Sequence, residues 1–118
     1  FRHSIGKEII ELPSGHVEDG ETPEIAAKKE LLDETGYRTK SLEFIGVLYP
    51  DTGRLGNKLW CYFTSDIEKD YSILPEDGID ILEIPYEKFL ELVNDGTFNH
   101  ALNLALIALC ITKKLIKI

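Results

Sequence analysis

The stretch from Thr22 to Gly36 leaves the chain one local structure. Thr22 can cap a helix, Pro23 fits the first helical position where an N–H has no partner, and Gly36 stands where the chain must turn out again. Within it, Glu30, Asp33 and Glu34 are spaced i, i+3, i+4, so three carboxylates share one helix face. Glu21 lies just before the helix and can join them. Ile25, Ala26, Ala27, Leu31 and Leu32 are expected to supply the core-facing side.

The competing reading is a solvated acidic face. Glu24 with Lys28 and Lys29 with Asp33 are opposite-charge pairs at i, i+4 that would offset the charge. The like-charge pair Glu30 and Glu34 costs only roughly 0.2–0.5 kcal/mol, so the helix alone does not demand a ligand. The segment before it shifts the balance. Residues 7–12 (KEIIEL) read as a short strand closed by Pro13, and residues 14–21 (SGHVEDGE) as a loop with glycines at 15 and 20. A strand end, a glycine loop and a carboxylate helix can bring backbone carbonyls and carboxylates around one point. Magnesium wants about six oxygens and keeps several waters.

The bulk properties fit one globular domain. The 118 residues are 43% hydrophobic and 29% charged, too apolar and too evenly patterned for disorder. A net charge of −8 with no basic patch argues against a nucleic-acid partner. An acidic chain that binds phosphates needs a bridging cation, although acidity for solubility is the simpler explanation of the charge. Cys61 and Cys110 each sit in an apolar run and read as reduced core residues of a cytoplasmic protein, with one disulfide between them as the alternative. The apolar run 101–112 is interrupted by Asn103 and is too short to span a bilayer, so no membrane partner is expected. No signal peptide is visible, but the chain begins at Phe1 and contains no Met, which leads us to expect a piece whose natural N-terminal part is missing.

Further along, residues 41–49 and 58–67 read as strands, 50–57 as a loop, 68–78 as polar and turn-rich, and 79–84 (IDILEI) as another strand. Pro85 starts a helix through Val93, stopped near Gly96, and Asn99 can cap a last helix to about Lys114. Strand, helix, several strands and two helices predict one α/β (α+β) domain over 1–118, with a mixed sheet covered by helices on both faces.

Gly15, Glu21, Lys29, Glu30, Leu31, Asp33, Glu34, Gly36 and Tyr37 stand at the spacing G-x5-E-x7-R-E-U-x-E-E-x-G-U, in which U is aliphatic. This resembles the Nudix box. Gly15, Glu21, Glu30, Leu31, Glu34 and Gly36 match it. Lys29 replaces an arginine and lacks its planar two-pronged contact. Asp33 is one methylene shorter than glutamate, so it is expected to reach a metal through water, and Tyr37 replaces an aliphatic residue. The resemblance implies an α/β/α sandwich. It implies that Glu30 and Glu34 hold magnesium, with Asp33 at a third ligand position and the Ser14 carbonyl as a further ligand. Glu21 and Lys29 would orient the loop and helix.

The resemblance extends to the ADP-ribose pyrophosphatase subfamily. Residues 11–21 (ELPSGHVEDGE) look like its ELPAG-type entry, Phe1-Arg2-His3 like the end of its Q-Y-R segment, and residues 94–109 like its C-terminal glycine turn and helix. Arg2 would then meet substrate, and Pro50 resembles a downstream proline of that subfamily, although a strand terminator explains it as well. His16 would line the pocket. Arg54 can contact phosphate or ribose, or be an ordinary exposed loop arginine. Glu76, and second to it Asp77, match a late-loop catalytic base, against the plainer reading of an Asp-Gly turn; the box acid Glu34 is the other candidate. Tyr71 has a weaker claim, and His100 reads as part of a helix start. The implied activity is magnesium-dependent hydrolysis, with manganese as a substitute, of a nucleoside diphosphate linked to another group, such as ADP-ribose to AMP and ribose 5-phosphate. A nucleoside triphosphate or dinucleoside polyphosphate hydrolase is the first rival. A nucleotide-binding regulatory module that does not cleave, supported by Lys29 and Asp33, is the second, and a plain acidic scaffold the third. Relatives carry further N-terminal strands used in a homodimer, so a dimer is expected of the full-length protein and an exposed sheet edge near Phe1 of this chain.

Overall fold

The computed structural model describes residues 10–53, 57–74 and 79–116. The elements run α1 (Pro23–Thr35), β1 (Tyr37–Thr39), β2 (Glu43–Leu48), β3 (Leu59–Phe63), β4 (Ile67–Lys69), α2 (Tyr86–Asn94) and α3 (Ala101–Thr112). Helix α1 has the bounds its punctuation predicts. The Thr22 hydroxyl accepts from the Ile25 N–H, Pro23 opens the first turn, and Gly36 at φ 76° donates its N–H to the Leu32 carbonyl.

The strands pair as two antiparallel ribbons, β1 with β4 and β2 with β3. The expected strand 58–67 is therefore divided. Thr64, Ser65 and Asp66 turn the chain, with the Asp66 N–H donating to the Thr64 hydroxyl at 3.1 Å and the Thr39 hydroxyl donating to the Asp66 carbonyl at 2.8 Å. One apolar run thus feeds two ribbons, and β1 is a strand the sequence reading did not anticipate. The register slips between Phe44 and Gly46, a bulge that leaves Ile45 without a cross-strand partner and buries it. Gly46, at φ 150°, lets α3 approach; a Cβ there would meet Leu109 at 3.3 Å.

Ile45, Cys61 and Cys110 form the buried centre, with Leu48, Leu59, Phe63, Leu106 and Leu109 packed around them. Helix α3 thereby covers the β2–β3 ribbon. Both cysteines are free, and burial raises their thiol pKa values, Cys61 further raised by its neighbour Cys110. A smaller apolar contact joins α2 to the turn after it, where the Phe89 and Phe98 rings meet edge to face at 4.9 Å.

Two expected strands need correction. Of the expected strand 7–12, residues 7–9 lie outside the described residues; residues 10–12 join no ladder among the described residues, and the Leu12 N–H is taken by the Asn103 side chain. Residues 79–84 form no ladder among the described residues, and Glu83 is instead held by the Tyr37 hydroxyl. An alternating pattern makes a strand only where a neighbour pairs with it. The last helix is capped one residue later than expected, by His100 rather than Asn99. The α+β class stands, and among the described residues every strand pairing is antiparallel. No described helix is long and apolar enough to cross a membrane.

Candidate active site

The loop before α1 is fastened to that helix at both ends. At its start the Ser14 N–H donates to Glu34 Oε1 at 2.7 Å. Gly15 then lies directly against Glu30, since a Cβ on Gly15 would stand 2.2 Å from Glu30 Cδ. At its end the loop closes on itself. The Glu21 N–H donates to the Glu18 carbonyl, and the Glu18 N–H donates to Glu21 Oε1, each at 3.0 Å. Lys29 Nζ stands 4.0 Å from carboxylate oxygens of both Glu18 and Glu21. Lysine thus acts here as a point charge between two acids, a geometry that needs no guanidinium fork. These ion pairs are partly exposed and contribute about 1 kcal/mol or less each.

The face of α1 turned toward this loop is the acidic one. Glu30, Asp33 and Glu34 are all half-buried, whereas Ile25 is 54% exposed and only Ala26 of the apolar set is buried. Of the residues expected on the core-facing side, Ile25 alone is exposed, while Ala27, Leu31 and Leu32 are half-buried like the acids. The physical reason is local. A glycine with no side chain and a donating N–H make the loop a suitable neighbour for carboxylates, which carry a desolvation cost unless hydrogen-bonded.

Ser14 and Gly15 are thus neighbours of Glu34 and Glu30, and carboxylate and backbone carbonyl oxygens are donors of the type that hard divalent cations take. Among the described residues no three acidic, histidine or cysteine side chains already converge on a single point. Like-charged carboxylates repel one another, and Glu34 takes the Ser14 N–H. His16 is exposed in the loop, and Pro50 is half-buried just after β2. Tyr71 is 86% exposed. Arg2, Arg54, Glu76 and Asp77 lie outside the described residues.

A different face of α1 lines a cleft of about 440 Å³ with Lys28, Lys29, Arg38 and Lys40 against Asp66 and Glu68. Its cations are largely engaged, Arg38 by Asp70 at 2.6 Å and Lys28 by the Lys40 carbonyl at 3.1 Å. The oxygen donors lie on the neighbouring acidic face, not in this cleft.

Sequence reasoning missed the residues that hold the loop from behind. Asn103 Oδ1 accepts from the Leu12 N–H at 2.8 Å, and His100 Nε2 stands 3.2 Å from Glu11 Oε1. One signal was available: an asparagine inside the apolar run ALNLALIALCIT must find a partner if it is buried.

The sequence profile of the NUDIX domain matches residues 2–102, most of the chain. The chain belongs to the Nudix family. Segment 15–37, which resembles the Nudix box, lies within that match, and its loop is the one fastened to α1. The chain is 30% identical over 96 residues to a protein named ADP-ribose pyrophosphatase from Bacillus subtilis (strain 168), a match covering 79% of this chain and 52% of the relative. It is 33% identical over 99 residues to a GDP-mannose pyrophosphatase from Cronobacter sakazakii (strain ATCC BAA-894), covering 79% and 50%. It is 43% identical over 53 residues to an ADP-sugar pyrophosphatase from Mus musculus, covering 45% and 24%. This Nudix chain spans about half the length of the first two relatives.

Proposed function

We propose that this Nudix domain hydrolyses the diphosphate bond of a nucleoside diphosphate linked to another group, ADP-ribose or another nucleotide sugar, giving a nucleoside monophosphate and a sugar phosphate. The observation that carries the reading is the approach of Ser14 and Gly15 to Glu34 and Glu30, which gathers a backbone segment and two carboxylates of the box into one patch. The names of the relatives support the substrate class.

Ser14 through its carbonyl, Glu30, Glu34 and, through water, Asp33 would hold magnesium, or manganese in its place. The cation supplies charge neutralisation at the diphosphate and a more acidic water. Glu21 and Lys29 keep the loop against the helix. Arg2 and Arg54 would bind the anionic ends of the substrate, with His16 and Pro50 at the pocket wall. A water oxygen forms a bond to one phosphorus, the bridging P–O bond breaks, and a carboxylate takes the water proton. Glu76 is our first assignment for that base, with Asp77 and Glu34 after it.

The relative named GDP-mannose pyrophosphatase is as similar as the one named ADP-ribose pyrophosphatase, so other nucleotide sugars form the specific second reading. We further assign a cytoplasmic location, in keeping with two free buried cysteines, and a homodimer for the full-length protein, in keeping with the subfamily resemblance. The test is a product assay on full-length protein with ADP-ribose, GDP-mannose, nucleoside triphosphates and dinucleoside polyphosphates, with magnesium, manganese or chelator. Glu34→Gln is expected to lower turnover about 100-fold or more with the fold retained. Undiminished turnover in that variant would sink the assignment. Saturable ADP-ribose binding with no product in the presence of magnesium would favour a non-cleaving module.

A further inference from the structure

We infer that the N-terminus of α3 is a positioning clamp for the metal loop, with Asn103 as its principal residue. The inference rests on the reading above, that Ser14, Glu30 and Glu34 hold the cation. Asn103 is 8% exposed and is the buried polar residue of the described chain. Its Oδ1 accepts the N–H of Leu12, 91 positions away in sequence and two residues before Ser14. The neighbouring contact has the same direction. His100 Nδ1 accepts from the Asn103 N–H at 3.4 Å, which leaves the ring proton on Nε2, 3.2 Å from Glu11 Oε1. Two consecutive loop residues, Glu11 and Leu12, are thus held by two residues of one helical turn.

The consequence concerns Ser14. Its N–H is fixed by Glu34 from the α1 side. Pro13 fixes one backbone angle between Leu12 and Ser14, so holding Leu12 narrows where the Ser14 carbonyl can stand. Helix α3 is itself seated on the β2–β3 ribbon through Leu106, Leu109 and Cys110. The clamp therefore ties the loop to the rigid core, and α1 supplies the carboxylates against it. Groups that orient metal ligands in this way commonly change metal affinity about 10- to 100-fold when removed. The family match ends at residue 102, so Asn103 stands just beyond it.

The test is direct manganese binding, read from the loss of the free-ion electron paramagnetic resonance signal, in full-length protein. Asn103→Leu keeps the branching and heavy-atom count of the side chain but has no acceptor, and is expected to weaken manganese binding about tenfold. Asn103→Asp keeps an acceptor oxygen for the Leu12 N–H and is expected to restore most of the affinity. Cys110→Ala, on the same helix, loses core packing without touching the loop and is expected to bind manganese as wild type does. If Asn103→Leu does not fold, His100→Asn carries the test, since it keeps a cap for α3 and removes the Glu11 contact; about threefold weaker binding is expected. Wild-type affinity in a folded Asn103→Leu or His100→Asn protein, while Glu34→Gln binds poorly, would overturn the clamp alone. Wild-type affinity in Glu34→Gln would overturn the metal reading and the clamp with it.

Discussion

Helix α3 makes two contacts of opposite character. Along its length, Leu106, Leu109 and Cys110 press on Ile45 and Cys61 of the β2–β3 ribbon, an apolar contact without direction. At its first turn, His100 and Asn103 hold Glu11 and Leu12 through single directional contacts. The first contact is summed over many atoms, so loss of any one atom is felt mainly as stability. The second is one hydrogen bond and one close imidazole–carboxylate contact, each with a small net contribution of about 1 kcal/mol. Their worth lies in where they place Ser14 and the box carboxylates. Changes at the apolar end should therefore appear in unfolding curves, and changes at the polar end in metal binding and turnover.

The largest effect expected from this contrast is at the polar end. Glu34→Gln keeps an oxygen that can accept from the Ser14 N–H, so stability should move little while turnover falls about 100-fold or more. Parallel urea melts and product assays check both halves of that statement. Next comes the apolar end. Ile45 is 3% exposed at the bulge of β2, and Ile45→Ala should destabilise the chain by about 2–4 kcal/mol. Its manganese affinity, measured well below the melting point, should match that of wild type. A joint loss of stability and affinity would show that the two ends of α3 are coupled.

The same contrast explains what could be read from the sequence. Helix α1 was legible to the residue, because Thr22, Pro23 and Gly36 act locally and need no tertiary partner. The box spacing likewise located Gly15, Glu21, Lys29, Glu30 and Glu34, which the fold brings together over a short stretch of chain. The β1–β4 ribbon was not legible, since three-residue strands carry no periodic signal and Tyr37–Thr39 is a strand only because Ile67–Lys69 returns beside it. The clamp was hidden for the same reason. Asn103 marks a partner's existence, but that partner is a backbone N–H 91 residues away.

Gly15 gives a smaller effect that again separates the two kinds of contact. A methyl group there meets the flexible end of Glu30, not backbone, at 2.2 Å. Glu30 must shift to admit it, so Gly15→Ala should cost about 1 kcal/mol of stability and weaken manganese binding about tenfold. Unchanged binding would mean that Glu30 does not hold the cation from the position seen here.

The smallest expected effect lies in the β1–β4 ribbon, which belongs to neither end of α3. Asp70 accepts from the Ser72 N–H and hydroxyl on one oxygen and from Arg38 Nε on the other, and its own N–H donates to the Gly36 carbonyl at the exit of α1. The Ser72 hydroxyl first, then Arg38 and the Ser72 N–H, favour the ionised carboxylate and lower its pKa from 3.8 to about 2. A depressed folded-state pKa means that the ionised form stabilises the fold. The contribution is fully present above the unfolded value near 4 and is lost as pH falls through about 2. Asp70→Asn removes this proton linkage. The stability difference between wild type and Asp70→Asn, followed by urea melts from pH 6 down to pH 2, should stay constant to about pH 4 and then shrink. The acid profile of manganese binding should be the same in both proteins if the ribbon only braces α1, and a shift of that profile with Asp70→Asn would extend the positioning network from α3 to the ribbon as well.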